Sequence, residues 1–229
     1  MKFTGEYCIP GVSPKRIEDD HVQRYRFAMQ YVRGRRVLDI ACGTGYGASL
    51  LGNAGATLVD GVDISDDVLA YAKSHYATKS IHFSMGDICT FKSREPYEVI
   101  TCFETIEHVR DYELALTNLR SLLKTGGLLL ISSPNRIVTS PQAASVDDKP
   151  KNRHHIREFS ISELRYAVEK QGFTIEGVFG QRCRRLFKSE FLRNLQKRIF
   201  KPDDRANLAV TPVQNLDPRY FLIVAKKVA

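Results

Sequence analysis

Residues 37–48 read VLDIACGTGYGA, and this stretch decides the fold of the chain. Its apolar start predicts a buried strand that carries one carboxylate, Asp39. Three glycines interrupt the run, and a helical pattern begins at Ala48. A strand that turns into a helix through glycines leaves backbone N–H groups around a space that a ligand can approach closely. The stretch therefore predicts a ligand-binding turn at the end of a buried strand.

The composition fits one α/β domain spanning residues 1–229. Hydrophobic residues make up 43% of the chain, which is enough for a sizeable core and argues against disorder. No apolar run approaches the roughly 20 residues that cross a bilayer, and the N-terminus shows no signal-peptide pattern, so we expect a cytoplasmic protein. The 5 cysteines include no CxxC pair, which argues against a disulfide framework or a zinc cage.

Strand and helix patterns alternate along the chain after an N-terminal arm and helix at residues 1–35. Alternation of this kind predicts a doubly wound, mostly parallel α/β sheet. Residues 134–157 are polar and aperiodic, so we expect them to form a lid or substrate loop. Residues 181–205 form a basic amphipathic insertion, which carries much of the net charge of +8. Besides residues 37–40, the predicted strands are residues 57–63, 81–84, 97–103, 128–132, 174–179 and 220–225.

The glycine turn alone fits two kinds of ligand. Residues 43–48 satisfy the dinucleotide fingerprint, and Asp63 follows at the expected distance of about 20 residues, so an NAD-dependent oxidoreductase fits as well. A carboxylate directly before the turn, Asp39, instead favours a bound positive charge. Asp63 and Asp87 follow two further strands, whose ends face the ligand crevice in an open α/β sheet. The carboxylates favour a cation with hydroxyls and an amine, and S-adenosylmethionine is such a ligand.

Four motifs in order resemble those of the class I S-adenosylmethionine-dependent methyltransferases. VLDIACGTGYG at residues 37–47 is similar to their first motif, and VDGVDIS at residues 59–65 to their second-strand acid. MGDIC at residues 85–89 is similar to their adenine-side acid, and VITCFETIEHV at residues 99–109 to their fourth-strand motif. The resemblance implies a seven-stranded sheet with the final strand antiparallel, and S-adenosylmethionine as the cofactor.

The resemblance also implies roles for single residues. Asp63 would bind the ribose hydroxyls and Asp87 would lie at the adenine. Asp39 would orient the amino-acid end of the cofactor, through water or through the N–H groups of the turn. The other cofactor contacts that the motifs imply are Ala41, Gly43, Gly45, Ile64, Ile88 and Phe103.

The segment ETIEH at residues 104–108 carries groups that a hydroxyl acceptor needs. A hydroxyl that attacks the methyl group must lose its proton to a base, or be acidified by a metal. In a helical turn, the two glutamates and the histidine of this segment would share one face. The pattern resembles ExxEH in ubiquinone-pathway O-methyltransferases and in small-RNA 3′-terminal 2′-O-methyltransferases. In the latter, a fourth ligand comes from a later H-x-x-E-[FW] segment, which residues 155–159 fit.

Two hypotheses for this segment stay open. The resemblance implies a site for Mg²⁺, Mn²⁺ or Fe²⁺ formed by Glu104, Glu107, His108 and His155. Without a metal, His108 or His155 would act as the general base, with Glu107 beside them.

The acceptor of the methyl group is predicted from a further resemblance. Residues 152–159 and the opening FTGE at residues 3–6 resemble small methyltransferases of glycan, nucleotide-sugar and natural-product pathways. We therefore expect O-methylation of a small-molecule or glycan hydroxyl, with a homo-oligomer left open. The alternative partner is nucleic acid, as in an RNA 2′-O-methyltransferase that would use the basic insertion. An NAD-dependent oxidoreductase and a non-catalytic binding module that keeps the cofactor fold are the further alternatives.

Overall fold

A computed structural model describes residues 7–184, 208–213 and 217–229 of the chain. These residues form eight strands, and β1 contains the apolar start of the glycine-turn stretch. The strands are β1 (Arg36–Ile40), β2 (Leu58–Asp63), β3 (Ile81–Met85), β4 (Tyr97–Phe103), β5 (Leu123–Pro134), β6 (Phe173–Arg184), β7 (Thr211–Pro212) and β8 (Asp217–Lys227).

The strands form one sheet in the order β3-β2-β1-β4-β5-β8-β6-β7. Strands β1 to β5 pair in parallel, and β8 lies antiparallel between β5 and β6. The predicted mostly parallel sheet with an antiparallel last strand is confirmed. The predicted number of seven strands is wrong by one, because the two-residue β7 pairs with Phe179 and Gly180 of β6. A strand of two residues is too short to show an alternating pattern in the sequence.

Helices cover both faces of the sheet, as a doubly wound fold requires. Neighbouring residues of β1 belong to different halves of the core: Val37 packs in the cluster with α1 to α3, and Leu38 in the cluster with α4 and α6. The helices are α1 (Lys15–Ala28), α2 (Tyr46–Asn53), α3 (Asp66–Tyr76), α4 (Tyr112–Leu122), α5 (Arg136–Thr139) and α6 (Ile161–Lys170).

Strand order reverses between β1 and β4, and this places the ligand crevice. In open α/β sheets, ligands bind outside the carboxyl ends of the strands at such a reversal. The glycine turn follows β1 at this position, and the ETIEH segment follows β4 beside it.

Two predicted segments differ in part from their expected structure. Residues 134–157 are not wholly irregular, since β5 runs to Pro134 and the short helix α5 follows. Residues 181–184 belong to β6 and not to an insertion, and the basic positions from 185 onward lie outside the described residues up to 207. None of the helices in the described ranges has the length and apolar character that a bilayer crossing requires.

Candidate active site

A cavity of about 770 Å³ opens at the carboxyl ends of β1 to β4. Its other walls come from α1, from the arm residues Tyr7 and Cys8, from residues 109–111 and from His154. Seven of the nine residues predicted to contact the cofactor line this cavity, and the two exceptions are Asp39 and Gly45. The seven lining residues are Ala41, Gly43, Asp63, Ile64, Asp87, Ile88 and Phe103.

Asp63 ties the glycine turn to the end of β2. One carboxylate oxygen accepts a hydrogen bond from the backbone N–H of Gly43 at 2.9 Å, and the other from that of Ser65 at 3.0 Å. Gly45 has a packing role: a Cβ there would lie 2.7 Å from the Cβ of Ala72, and its φ of +83° is unfavourable for other residues. Gly43 is therefore the glycine of this pair that is open to a ligand.

Asp39 lies behind the cavity and not in its wall. Its side chain is 1% exposed and accepts hydrogen bonds from the hydroxyls of Thr101 at 2.7 Å and Tyr25 at 3.1 Å. Among the described residues these two hydroxyls are the donors to the carboxylate, and the N–H groups of the turn do not donate to it. The predicted route through water stays a prediction. Burial raises the pKa of Asp39 to about 7, although the hydrogen bonds from Thr101 and Tyr25 oppose the shift.

The raised pKa of Asp39 predicts a pH-dependent stability. The folded chain binds the carboxyl proton of Asp39 more tightly than the unfolded chain does. The stability that Asp39 contributes is therefore largest below about pH 4 and is lost as the pH rises to about 7. Because one pKa unit corresponds to about 1.4 kcal/mol, ionising Asp39 costs on the order of 4 kcal/mol. We expect the free energy of unfolding of Asp39→Asn, measured in urea, to rise relative to that of wild type when the pH is raised from 5 to 8. An unchanged difference between the two proteins across this range would contradict the assignment.

Two non-glycine residues adopt left-handed backbone conformations at neighbouring strand ends. Ala41 after β1 has φ of 56°, and Glu104 after β4 has φ of 50°. Such conformations cost on the order of 1–3 kcal/mol and cluster at functional sites. Because of this conformation, Glu104 does not join the helical turn, which covers Ile106–His108 alone. The expectation that Glu104, Glu107 and His108 share one helical face is therefore wrong.

Three of the four predicted metal-site residues come together. Potential ligand atoms of Glu107, His108 and His155 all lie within 4.8 Å of one another, and Glu104 is not in this group. The rings of His108 and His155 meet edge to face, with centroids 4.9 Å apart. The Glu104 carboxylate instead accepts a hydrogen bond from Ser132 at 2.8 Å and lies 4.0 Å from the Nε of Arg24. We call Glu107, His108 and His155 the histidine cluster.

Each imidazole of the histidine cluster is held through its Nδ1 atom. The Nδ1 of His108 lies 2.9 Å from the carbonyl oxygen of His154, which can only accept, so this nitrogen carries the proton. The Nδ1 of His155 lies 2.7 Å from a carboxylate oxygen of Glu158. Both Nε2 atoms are therefore the nitrogens with lone pairs, the form that metal binding and proton abstraction require. The Nε2 of His108 has no partner among the described residues, whereas that of His155 lies 2.8 Å from the amide nitrogen of Asn152, which a metal or a substrate proton would have to displace. Burial lowers the pKa of His108, and His155 lowers it further.

Glu107 has an unsatisfied carboxylate oxygen in the interior. The side chain is fully buried; Oε2 accepts a hydrogen bond from Ser133 at 3.3 Å, whereas Oε1 has no partner among the described residues. Burial raises the pKa of Glu107 well above its usual range, and the neighbouring Glu104 raises it further. A bound cation would satisfy this oxygen and keep the carboxylate ionised. One carboxylate with two imidazoles is a donor set that divalent transition metals accept, so the residues fit such an ion.

His21 was not identified in the sequence, yet it lines the cavity from α1. The described residues offer its ring no hydrogen-bond partner, so both nitrogens are available to a ligand. Burial lowers the pKa of His21 well below its usual range, and the nearby Arg24 adds to this effect. The imidazole is therefore neutral at pH 7. The one signal in the sequence is the i, i+4 spacing of His21 and Tyr25, which also lines the cavity.

The chain is similar in sequence to known proteins. Residues 19–178 match a family model described as a methyltransferase domain. A probable S-adenosylmethionine-dependent methyltransferase of Mycolicibacterium smegmatis is 31% identical over 185 residues, which cover 79% of this chain and 68% of the relative. The ubiquinone biosynthesis O-methyltransferase of Coxiella burnetii is 33% identical over 159 residues, or 65% of this chain and 68% of that protein.

A solved structure shares the fold at low sequence identity. The crystal structure of an S-adenosylmethionine-dependent methyltransferase from Mesorhizobium loti superposes with a TM-score of 0.63 at 17% identity. The match covers 91% of this chain and 98% of the other.

Proposed function

The chain belongs to the class I S-adenosylmethionine-dependent methyltransferases, and from this we propose that it methylates a hydroxyl group of a sugar, nucleotide-sugar or small natural product. S-adenosylmethionine is the cofactor of the family, and its sulfonium activates the methyl carbon for in-line displacement. The observation that carries the proposal is the histidine cluster, which lies at the β4 side of the cavity.

The histidine cluster favours a hydroxyl acceptor because a hydroxyl is a weak nucleophile until it loses its proton. A positioned base contributes about 10²- to 10⁴-fold to such a step. His108 lines the cavity and has a free Nε2 lone pair, and His155 lies against it. The relationship to an enzyme named ubiquinone biosynthesis O-methyltransferase supports transfer to oxygen.

A divalent metal ion would be held by Glu107, His108 and His155. When bound, such an ion lowers the pKa of a hydroxyl and so supplies the same chemistry as a base. Without it, His108 is the nearer candidate for a base, because its side chain reaches the cavity wall.

The methionine end of the cofactor would lie between His21 and Glu104. With the adenine at Asp87 and the ribose at Asp63, the rest of the cofactor extends along the sheet edge over β1 and β4. Two groups there suit a zwitterion: the Glu104 carboxylate would accept from the ammonium group, and the His21 imidazole would donate to the carboxylate.

We expect His21→Ala to weaken binding of S-adenosylhomocysteine by about 10- to 100-fold, the usual effect of losing a hydrogen bond to a charged group. Binding of 5′-methylthioadenosine, which lacks the amino-acid end, should be unchanged. Isothermal titration calorimetry measures both constants, and His75→Ala on the exposed side of α3 is the matched control. If His21→Ala weakens the binding of both ligands equally, or of neither ligand, His21 does not hold the methionine end.

Arginines near the histidine cluster favour an acceptor with a phosphate group, such as a nucleotide-sugar. Arg110 lines the cavity, Arg157 donates to the Arg110 carbonyl at 2.9 Å, and the Nε of Arg153 lies 3.3 Å from the ring of His154. None of the three forms an ion pair with a carboxylate in the described part of the chain. Arginines without a carboxylate partner can pair with phosphate oxygens, and the guanidinium of Arg157 is held beside the cavity by the Tyr112 ring, 4.6 Å from its centroid.

RNA stays the alternative acceptor. The resemblance to small-RNA methyltransferases implied four metal ligands, but Glu104 lies outside the histidine cluster. A screen with methyl-labelled S-adenosylmethionine, with and without EDTA, tests the proposal against nucleotide-sugars, phenols and RNA oligonucleotides. We expect label on a nucleotide-sugar or another small hydroxyl compound. Label on RNA alone, or on none of them, would reject the proposed acceptor class.

A further inference from the structure

We propose that Glu158 is the positioning residue of the site: it fixes the orientation and tautomer of His155 through a contact anchored to the end of β5. The inference rests on the proposed function in that His155 is taken to serve the reaction. The contact itself is a property of the folded chain and can be tested separately.

The contact between Glu158 and His155 is short and buried. The Oε1 atom of Glu158 lies 2.7 Å from the Nδ1 of His155, and the glutamate side chain is 1% exposed. Its second oxygen accepts a hydrogen bond from the hydroxyl of Thr139 at 2.5 Å. Both carboxylate oxygens therefore have donors, so the carboxylate is held as an acceptor toward His155.

The sheet and not the loop sets the position of Glu158. The next residue, Phe159, is 1% exposed and forms an isolated parallel bridge with Asn135, directly after β5. The backbone N–H of Arg136 donates to the carbonyl of Phe159 at 2.9 Å. Thr139, the second donor to Glu158, is the last residue of α5, which also starts from this point. His155 is thus connected to the core through Glu158.

This arrangement has a chemical consequence for His155. A carboxylate that accepts from Nδ1–H leaves Nε2 as the nitrogen with the lone pair. The amide of Asn152 lies 2.8 Å from Nε2, and the backbone N–H of His154 donates to the oxygen of the same amide, so the amide nitrogen faces the ring. Histidines that bind metals commonly hold their other N–H against a carboxylate, and mutation of such a partner typically lowers metal affinity or activity by about 10- to 100-fold.

Imidazole ¹⁵N NMR of the full-length protein without added metal tests the inference. The His155 signals are assigned by their loss in His155→Ala. Because the Asn152 amide also faces Nε2, the comparison is made in an Asn152→Ala background. There the ring should show Nδ1 protonated and Nε2 without a proton, whereas adding Glu158→Gln should shift it toward the Nε2–H tautomer. Turnover should fall about 10- to 100-fold with unchanged affinity for S-adenosylhomocysteine. Thr139→Val, which removes the second donor and keeps the carboxylate, should give a smaller change of both readouts in the same direction.

The outcomes distinguish the positioning role of Glu158 from the proposed part of His155 in the reaction. In the Asn152→Ala background, a His155 tautomer that neither Glu158→Gln nor Thr139→Val changes overturns the positioning role of Glu158. A tautomer that changes with turnover unaffected upholds that role and rejects the part of His155 in the reaction. Glu176→Gln, at an exposed position of β6, is the matched control and should alter neither readout.

Discussion

Replacing His155 with alanine is expected to lower kcat for methyl transfer by about 10²- to 10⁴-fold, the contribution of a positioned base or its metal-bound equivalent. Affinity for S-adenosylhomocysteine should stay at the wild-type value, because His155 does not line the cavity wall. The same loss of kcat is expected for His108→Ala. Since His108 and His155 act at one point, the double variant should be little worse than either single variant.

His154→Ala is the matched control for this experiment. His154 lies beside His155 and lines the cavity, but only its backbone carbonyl holds His108, and alanine keeps that carbonyl. We expect its turnover within a few-fold of wild type. Wild-type turnover in both His108→Ala and His155→Ala would show that the histidine cluster takes no part in the reaction.

Treatment with a chelator distinguishes the metal-site hypothesis from the general-base hypothesis. If Glu107, His108 and His155 hold a metal ion, EDTA should abolish turnover and a divalent ion should restore it. If His108 acts as a base, EDTA should have no effect, whereas the loss in His108→Ala persists. Turnover that resists EDTA would exclude the metal without affecting the assignment of the two histidines.

Gly47→Ala is expected to lower the free energy of unfolding by about 2–3 kcal/mol, with a fall in Tm of roughly 5–10 °C. Gly47 lies in the first turn of α2, where an added Cβ would meet Tyr25 at only 2.0 Å from the ring carbon Cζ. Tyr25 is 5% exposed and its hydroxyl donates to Asp39, so the ring cannot move without breaking that hydrogen bond. The loss reflects overpacking between α1 and α2 beneath the glycine turn.

A double-mutant cycle identifies the cause of this loss. If the clash with Tyr25 is responsible, Gly47→Ala should cost much less in a Tyr25→Ala background, because the space of the ring is then free. Asn53→Ala, at the exposed end of the same helix, is the control and should change Tm little. An equal loss from Gly47→Ala in both backgrounds would contradict the packing explanation.

Much of the fold and part of the cavity lining could be predicted from the sequence. Asp63 and Asp87 follow apolar strands, and strand ends of a parallel sheet meet at one edge, so their positions along the cavity follow from the pattern. The presence of His108 and His155 in one cluster is different. They lie far apart in the chain, and only the resemblance to an H-x-x-E-[FW] segment linked them before the structure placed their rings in contact.

The errors have physical causes that single-sequence patterns do not carry. Glu104 was placed on a helical face, but its left-handed backbone follows from the fixed geometry at the end of β4. Asp39 is predicted to act on the cofactor through water or through the N–H groups of the turn. Its hydrogen bonds with Tyr25 and Thr101 depend on side chains from other elements, which the strand pattern does not reveal. His21 was missed because a lone histidine on an amphipathic helix has no motif around it. Its place in the cavity wall follows from the packing of α1 over the end of the sheet, which the sequence does not show.

The most direct test of the account is the identity of the methylated product. Wild-type protein is incubated with S-adenosylmethionine labelled with carbon-13 in the methyl group and the acceptor found in the screen, and the product is characterised by NMR and mass spectrometry. The account predicts a labelled methyl ether on a hydroxyl of that acceptor, formed at a rate about 10²- to 10⁴-fold lower by His108→Ala and by His155→Ala under the same conditions. A labelled methyl group on nitrogen, sulfur or carbon, or a methyl ether formed equally well by both His108→Ala and His155→Ala, would contradict it.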